Sequence, residues 1–172
     1  AKTVGAKLEV DGLEVFRGRL AEIFSRTDRG SYSAIWRPAI EDHDQNVSRD
    51  EPEQILITAF RDAFLGYVDR RAAGATSYIR RLLDSDEIVF QRLAIFVVGQ
   101  YPGQLSVLLP EILVARFMNA NCRHEMYQLL HVVFSDLNDG SKNGVLTLIS
   151  EVVQQRGESE QPEEVQEKQR SY

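Results

Sequence analysis

The sequence predicts an all-α fold of about seven or eight helices, stacked largely as antiparallel pairs. Apolar residues recur at spacings of three and four through most of the 172 residues, which is the period of an α-helix. No segment shows the sustained alternation of apolar and polar residues that marks a half-buried strand. The stretch Ile88 to Gly99 is apolar on nearly every face, so other helices must cover it from both sides.

The first fifty residues predict one long helix and one short helix. After a weakly patterned lead-in, Asp11 is placed to cap a helix, and turn residues 27–30 end it. Its apolar positions are Leu13, Phe16, Leu20, Ile23 and Phe24. A short helical segment that opens at Ser31 or Ser33 is interrupted by Pro38, and the polar residues 41–50 are typical of a loop.

The clearest helix is predicted from about Glu51 to Arg71, with a capping box at Ser48 or Asp50 and Pro52 in its first turn. Residues 72–75, Ala-Ala-Gly-Ala, predict a turn that leads into a second helix ending near Leu83. Asp84 and Glu87 then predict the capping box of the apolar helix that follows.

The second half of the chain predicts three further helices. The apolar stretch 104–118 is split by Pro110, which we expect to begin a helix after a preceding short helical turn. Met126 to Leu137 and Val145 to Val153 keep helical spacing on either side of an Asn-Asp-Gly-Ser turn. We therefore expect a helical domain over 1–156 and a polar, acidic tail or short terminal helix over 157–172.

Composition and charge argue against several classes of protein. The net charge of −6 argues against non-specific nucleic-acid binding as the main activity. The single cysteine, Cys122, permits no internal disulfide, which fits a reducing, cytoplasmic location. No apolar run approaches the ~20 residues of a membrane span, and the N-terminal stretch lacks the apolar core of a signal peptide.

The start of the chain suggests a segment of a longer polypeptide. The sequence begins at Ala1, and its methionines are Met118 and Met126. Removal of an initiator methionine before Ala1 is the alternative explanation.

Residues 78–99 carry the one family resemblance in the chain. Leu82-Leu83, a turn containing Asp84, and a second helix with Val89, Ala94 and Gly99 resemble a HEAT-type helical repeat. The Pro common after the turn Asp is Glu87 here, the usual Arg after Val is Phe90, and no second copy follows at ~40 residues. The resemblance implies stacked helix pairs, with a HEAT-like array or an irregular helical bundle as the architecture.

Two basic pairs, Arg70-Arg71 and Arg80-Arg81, flank the predicted turn at Gly74. If the two helices are antiparallel, the pairs form a basic patch beside Arg61 that suits phosphate or an acidic partner. The alternative is that Arg70 and Arg71 bond the terminal carbonyls of their helix while Arg80 and Arg81 are solvated. Trp36, beside Pro38, is either an interaction anchor or an anchor of its loop over the core.

Two groups of residues have the chemistry of metal ligands. Glu41, Asp42, His43 and Asp44 are consecutive, which prevents all four from converging on one ion unless the loop folds tightly. Cys122, His124 and His131 lack the paired spacing of a zinc site. We expect neither group to hold a metal, no cofactor, and a small buried thiol at Cys122.

No catalytic motif is present: the sequence has no nucleophile elbow, no P-loop and no dinucleotide fingerprint. The favoured prediction is a non-catalytic protein-interaction or scaffolding module of an intracellular protein, whose partner is a protein or another domain of the same polypeptide. The first alternative is a regulatory domain that binds nucleic acid or nucleotide through the arginine face. The second is a metal-dependent enzyme centred on residues 41–44.

Overall fold

The computed structural model describes residues 10–30, 32–46 and 51–159, and over these residues the all-α prediction is confirmed. They contain no strand and eight α-helices, α1 to α8 in chain order. The bounds are Val10–Phe24, Ser33–Trp36, Pro52–Leu83, Ile88–Gln100, Pro102–Leu105, Leu109–Ile112, Arg123–Val133 and Asp139–Ser159. Short 3₁₀ turns lie at Asp28–Gly30, Ser106–Leu108, Ala115–Phe117 and Phe134–Asp136.

Helix α1 packs against α3 through the apolar positions that its spacing predicts. Leu13, Leu20 and Phe24 are buried, and Phe16 stacks on Phe60 of α3 with ring centroids 6.2 Å apart. Asp11 lies in the first turn of the helix, where a carboxylate favours the positive end of the helix dipole.

Helix α3 corrects the predicted turn at residues 72–75, because it runs without a break for 32 residues, about 48 Å. A single glycine costs a helix about 1 kcal/mol, and the alanines around Gly74 are the best helix formers. Pro52 lies at the start of the helix as predicted. The capping residues predicted at 48 and 50 lie outside the described residues.

Helix α4 is covered from both sides, by α3 and by α7, as its all-round apolar sequence predicts. Its buried residues include Phe90, Leu93, Ile95 and Val98. The predicted capping box is wrong: Asp84 ends α3, and the hydroxyl of Ser85 accepts the Glu87 N–H at 3.2 Å instead. The tight connection makes α4 antiparallel to the end of α3.

A buried ion pair joins α4 to α7 and fixes residues 33–40 against them. Arg92 donates to the carboxylate of Glu125 from Nε at 2.9 Å and from Nη2 at 2.8 Å. Arg92 also donates to the Ser33 hydroxyl and the Pro38 carbonyl, and the Ile40 N–H donates to Glu125 at 3.0 Å. The segment after α2 is therefore held against the core by charged side chains of two helices.

The stretch after α4 differs from the prediction that Pro110 begins a full helix. Pro110 lies in α6, which lasts only one turn, and 3₁₀ turns continue the chain on both sides. Among the described residues, no single helix is both long and apolar enough to cross a bilayer. Ile88–Gln100 and Pro102–Ile112 reach that length and composition only as a pair, across a bend of 112°.

Helix α8 extends to Ser159, so the predicted boundary between domain and tail at residues 156 and 157 falls inside a helix. Residues 160–172, the rest of the predicted tail, lie outside the described residues.

Candidate interaction surface

Helix α8 presents two apolar stripes, of which only one faces the body of the protein. Val145 is 2% exposed, and Leu148 and Val152 are half-buried beside it. Leu146, Ile149 and Val153 lie three and four residues apart on another face and are 51%, 40% and 63% exposed. A helix with a second apolar stripe in water is typical of a surface that a partner covers.

The local sequence explains why α8 begins where it does. The side-chain oxygen of Asn138 accepts the backbone N–H of Ser141 at 2.9 Å, and its carbonyl accepts that of Lys142 at 3.0 Å. These bonds satisfy two donors of the first turn, as an N-cap residue does. The chain after the 3₁₀ turn Phe134–Asp136 is thereby redirected, so that α8 lies beside α7.

An apolar groove of about 290 Å³ lies between α7 and the C-terminal half of α8. Tyr127, 65% exposed, and Leu130 line it from α7, and Ile149 and Val153 line it from α8. The remaining lining residues are Phe117, Met118, Asn119, Arg123, Met126 and Val152. We call Tyr127, Leu130, Leu146, Ile149 and Val153 the α7–α8 surface.

A second depression, of about 610 Å³, flanks the other side of α8 near its N-terminal half. Leu109 and Leu113 line it from the region of α6, and Leu137, Val145 and Leu148 line it from the last helix and the turn before it. Helix α8 is therefore open to solvent on both flanks. Its attachment to the body rests mainly on the stripe centred on Val145.

Among the residues that line the groove, the charged side chain is that of Arg123. Arg123 is exposed and lines it, and Arg116 lies over the ring of Phe117 at 4.5 Å. Arg116 also pairs with Asp84 at 3.3 Å. An apolar groove with a cationic rim favours an apolar partner segment that carries acidic residues at one end.

The basic patch was predicted on the assumption that two antiparallel helices meet at Gly74. That arrangement is wrong, because α3 runs through Gly74 as one continuous helix. Arg70 and Arg80 are ten residues apart on one helix, about 15 Å along its axis. Arg61 is 5% exposed and bonds Asp42 and Asp62. Arg70 is exposed, and the side chain of Arg71 lies outside the described residues.

The two remaining arginines of the predicted patch have carboxylate partners within the chain. Arg80 pairs with Glu111 at 2.7 Å, and the pKa of Glu111 is lowered mainly by this contact. Arg81 pairs with Glu14 and lies 5.4 Å from the ring centroid of Tyr78. These pairs tie α3 to α6 and α1.

Trp36 lies over the core in the structure. Its indole N–H donates to the Arg29 carbonyl at 3.0 Å, the Arg29 guanidinium lies 5.4 Å from its ring, and Phe24 packs against it at 6.3 Å. The side chain is half-buried. These contacts favour the interpretation of Trp36 as an anchor of its own loop.

The residues with the chemistry of metal ligands, which we expected to hold no metal, are brought together only in part. His124 bonds Glu41 at 3.0 Å, and the His43 ring lies edge-on to His124 at 5.8 Å. His131 stacks on Tyr127 and is exposed. Within the described ranges, no three His, Cys, Asp or Glu side chains are arranged to hold a metal ion.

Cys122 is fully buried, as expected for a small core thiol. Burial, and after it the charge of Glu125, raises the pKa of the Cys122 thiol to about 12. A thiol that stays protonated at neutral pH is a poor nucleophile.

Sequence reasoning missed the pairing of Arg92 with Glu125 and the second stripe of α8. A lone arginine in an otherwise apolar helix requires a buried partner, which was a usable signal. Leu146 and Val153 are visible in the sequence, but their exposure depends on which stripe the body covers.

Comparison with known proteins does not assign the chain to a family. The chain matches no family model, no curated protein and no solved structure. The resemblance to a HEAT-type repeat stays a prediction.

Proposed function

We propose that this chain is a non-catalytic interaction module that binds a protein partner through the α7–α8 surface. The observation that carries the proposal is the exposed stripe of Leu146, Ile149 and Val153, which continues into the groove beside Tyr127. Burying such side chains releases roughly 25 cal/mol per Å² of apolar surface. A partner would supply that burial.

The partner we propose is an amphipathic helix of another protein or of another domain of the same polypeptide. A groove between two helices accepts a third helix through apolar residues at positions i, i+3 or i+4, and i+7. The cationic rim at Arg123 selects a helix with an acidic end. The buried thiol of Cys122, whose pKa is raised to about 12, is removed as a candidate nucleophile.

A pair of matched double variants tests the proposal. Ile149→Glu with Val153→Glu places two charges on the stripe, whereas Thr147→Glu with Gln154→Glu places two charges on exposed positions of another face of the same helix. Circular dichroism and urea unfolding first establish that both variants keep the fold. Each variant then carries the photo-cross-linker p-benzoylphenylalanine at Tyr127, and cross-linked peptides are identified by mass spectrometry after irradiation in the source cell.

We expect the unmodified surface and the Thr147/Gln154 variant to cross-link the same acidic amphipathic segment. The Ile149/Val153 variant should lose that product by about tenfold or more, the equivalent of one disrupted apolar contact. Equal yields from the two variants contradict the proposal. Cross-links to a second copy of this chain would reassign the surface to self-association.

A further inference from the structure

A polar depression of about 370 Å³ adjoins the apolar groove of the α7–α8 surface. Its lining comes from α2 and the residues after it, and from the start of α7 with the residues before it. The lining residues are Ala34, Pro38, Gln45, Ala120, Asn121, Arg123, His124 and Tyr127. Arg123 and Tyr127 also line the apolar groove, so the two hollows meet at these two side chains.

Arg123 is the charged side chain in both linings, and neither lining includes an aspartate or glutamate among the described residues. The side chain is exposed, and it is bonded to no carboxylate in the described part of the chain. Arg116, by contrast, pairs with Asp84. An exposed cation without a counter-ion favours a negatively charged partner at this point of the surface.

The polar depression also supplies uncharged hydrogen-bond donors. The side-chain amides of Gln45 and Asn121 make no hydrogen bond to other described residues, and each amide nitrogen donates two bonds. The nearby Glu41 carboxylate is hydrogen-bonded to Nε2 of His124 at 3.0 Å, so it is engaged within the protein. A partner carboxylate that enters the depression therefore meets amide donors and the Arg123 guanidinium.

The arrangement of α7 and α8 determines where the polar depression lies along the groove. Residues 123–130 of α7 and 149–153 of α8 line the groove together, and residues 134–138 connect the two helices. The start of α7 therefore lies beside the second half of α8. The polar depression adjoins the Arg123 end of the groove, and Leu146 lies towards the opposite end.

We propose that the partner segment of the α7–α8 surface carries its acidic residues at its N-terminal end, and that this end lies in the polar depression beside Arg123. Acidic side chains stabilise the first turn of a helix and destabilise its last turn, so a stable helix with one acidic end has it at the N-terminus. The apolar part then runs along the groove towards Leu146, antiparallel to α8. This polarity rests on the proposed function, since it requires a helix in the groove.

Photo-cross-linking from three positions tests the polarity on the full chain. p-Benzoylphenylalanine is placed singly at Gln45, Tyr127 or Leu146, and irradiation in the source cell is followed by mass spectrometry of the cross-linked peptides. We expect one partner segment from all three positions. The products from Gln45 should map to acidic residues N-terminal to the Tyr127 products, and the products from Leu146 should map C-terminal to them.

Charge reversal at Arg123 tests the role of the cation. Arg123→Glu places a carboxylate in the first turn of α7, where the helix dipole favours it, so the variant should keep its fold. Arg19→Glu is the matched control, because Arg19 is exposed on α1 and its bond to Glu22 is a surface ion pair of little energetic value. Circular dichroism establishes that both variants are folded.

Arg123→Glu should lower the cross-link yield from Tyr127 by about tenfold, whereas Arg19→Glu should leave the yield unchanged. Lysine at the cross-linked acidic positions of the partner should restore the yield of the Arg123→Glu variant.

The outcomes distinguish failure of the polarity from failure of the proposed function. No partner segment at Tyr127, or a second copy of this chain there, overturns both. A partner segment at Tyr127 that gives no product from Gln45, or gives the reverse order of products, overturns the polarity and leaves the interaction surface in place. Equal yields from Arg123→Glu and Arg19→Glu do the same.

Discussion

Replacing Glu125 by glutamine tests the central ion pair of the fold. The carboxylate accepts hydrogen bonds from Arg92 Nε, from Arg92 Nη2 and from the Ile40 N–H, at 2.9, 2.8 and 3.0 Å. Both side chains of the pair are essentially inaccessible, at 0% and 1% exposure. Glu125→Gln keeps the shape, but it removes the charge and turns one acceptor into a donor that faces another donor.

The expected loss is about 3–5 kcal/mol of unfolding free energy, because the change leaves the Arg92 charge buried without its counter-ion. That is a large part of the 5–15 kcal/mol typical of a folded domain. Removing both charges, with Arg92→Met and Glu125→Leu, should cost less than the sum of the single changes by about 2–3 kcal/mol. The bonds of Arg92 to Ser33 and Pro38 are also lost, so some destabilisation remains.

Urea unfolding followed by circular dichroism and by the fluorescence of Trp36 measures these differences. Coincident transitions from the two probes establish that one unfolding free energy describes the whole chain. The control is the exposed pair Arg80 and Glu111, in which Glu111→Gln should cost far less because water solvates both partners. A loss below about 1 kcal/mol for Glu125→Gln, or additive single changes, would refute the reasoning.

Three further predictions concern single positions. Cys122, with its pKa raised to about 12 by burial, should react with Ellman's reagent in the folded protein at least about a hundred times more slowly than in urea; equal rates would place the thiol at the surface. Gly18→Ala should stabilise the protein by about 0.5–1 kcal/mol, since a Cβ there meets no atom within 4 Å; a lower urea midpoint would contradict this. Burial, and then Asp86, raises the pKa of Glu87, so its ionisation costs stability as the pH rises above 4.5. Glu87→Gln should therefore raise the urea midpoint near pH 7 and leave it unchanged near pH 3, where the carboxyl is protonated in both states; the opposite pattern would mean that the ionised carboxylate is stabilised in the fold.

Helices α1 and α4 were predictable because the arrangement of apolar residues along each one shows which of its faces must be buried. The stripe of α1 from Leu13 to Phe24 and the all-round apolar sequence of α4 both specify where neighbours must lie. The turn predicted at Gly74 was wrong because a single glycine weakens a helix without ending it. The flanking alanines favour the helix, and α4 packs against it, so the cost of the glycine is outweighed. At Pro110 the error was in the other direction. The proline lies in the first turn of a helix as predicted, but the helix ends at Ile112.

The polar contacts of the fold were not predictable from local pattern, because they join residues far apart in sequence. Ile40 and Glu125 are 85 residues apart, and Ser33 and Arg92 are 59 apart. The antiparallel arrangement expected for the basic patch was wrong, and the partners of its arginines were hidden for a related reason: Arg61, Arg80 and Arg81 each pair with a carboxylate on another element or segment. Charge position along a helix does not reveal which cation is already paired.

The long sequence separations around Glu125 also bear on the order of folding. Contacts that close long loops carry a large entropic cost before they form, whereas α3 and α4 are joined by a tight connection and need close almost no loop. The α3–α4 hairpin is therefore suited to nucleate the fold. Segment 33–40 can find its acceptor only after α7 has added Glu125 beside α4, so residues 33–40 should reach their native positions among the last in the refolding chain.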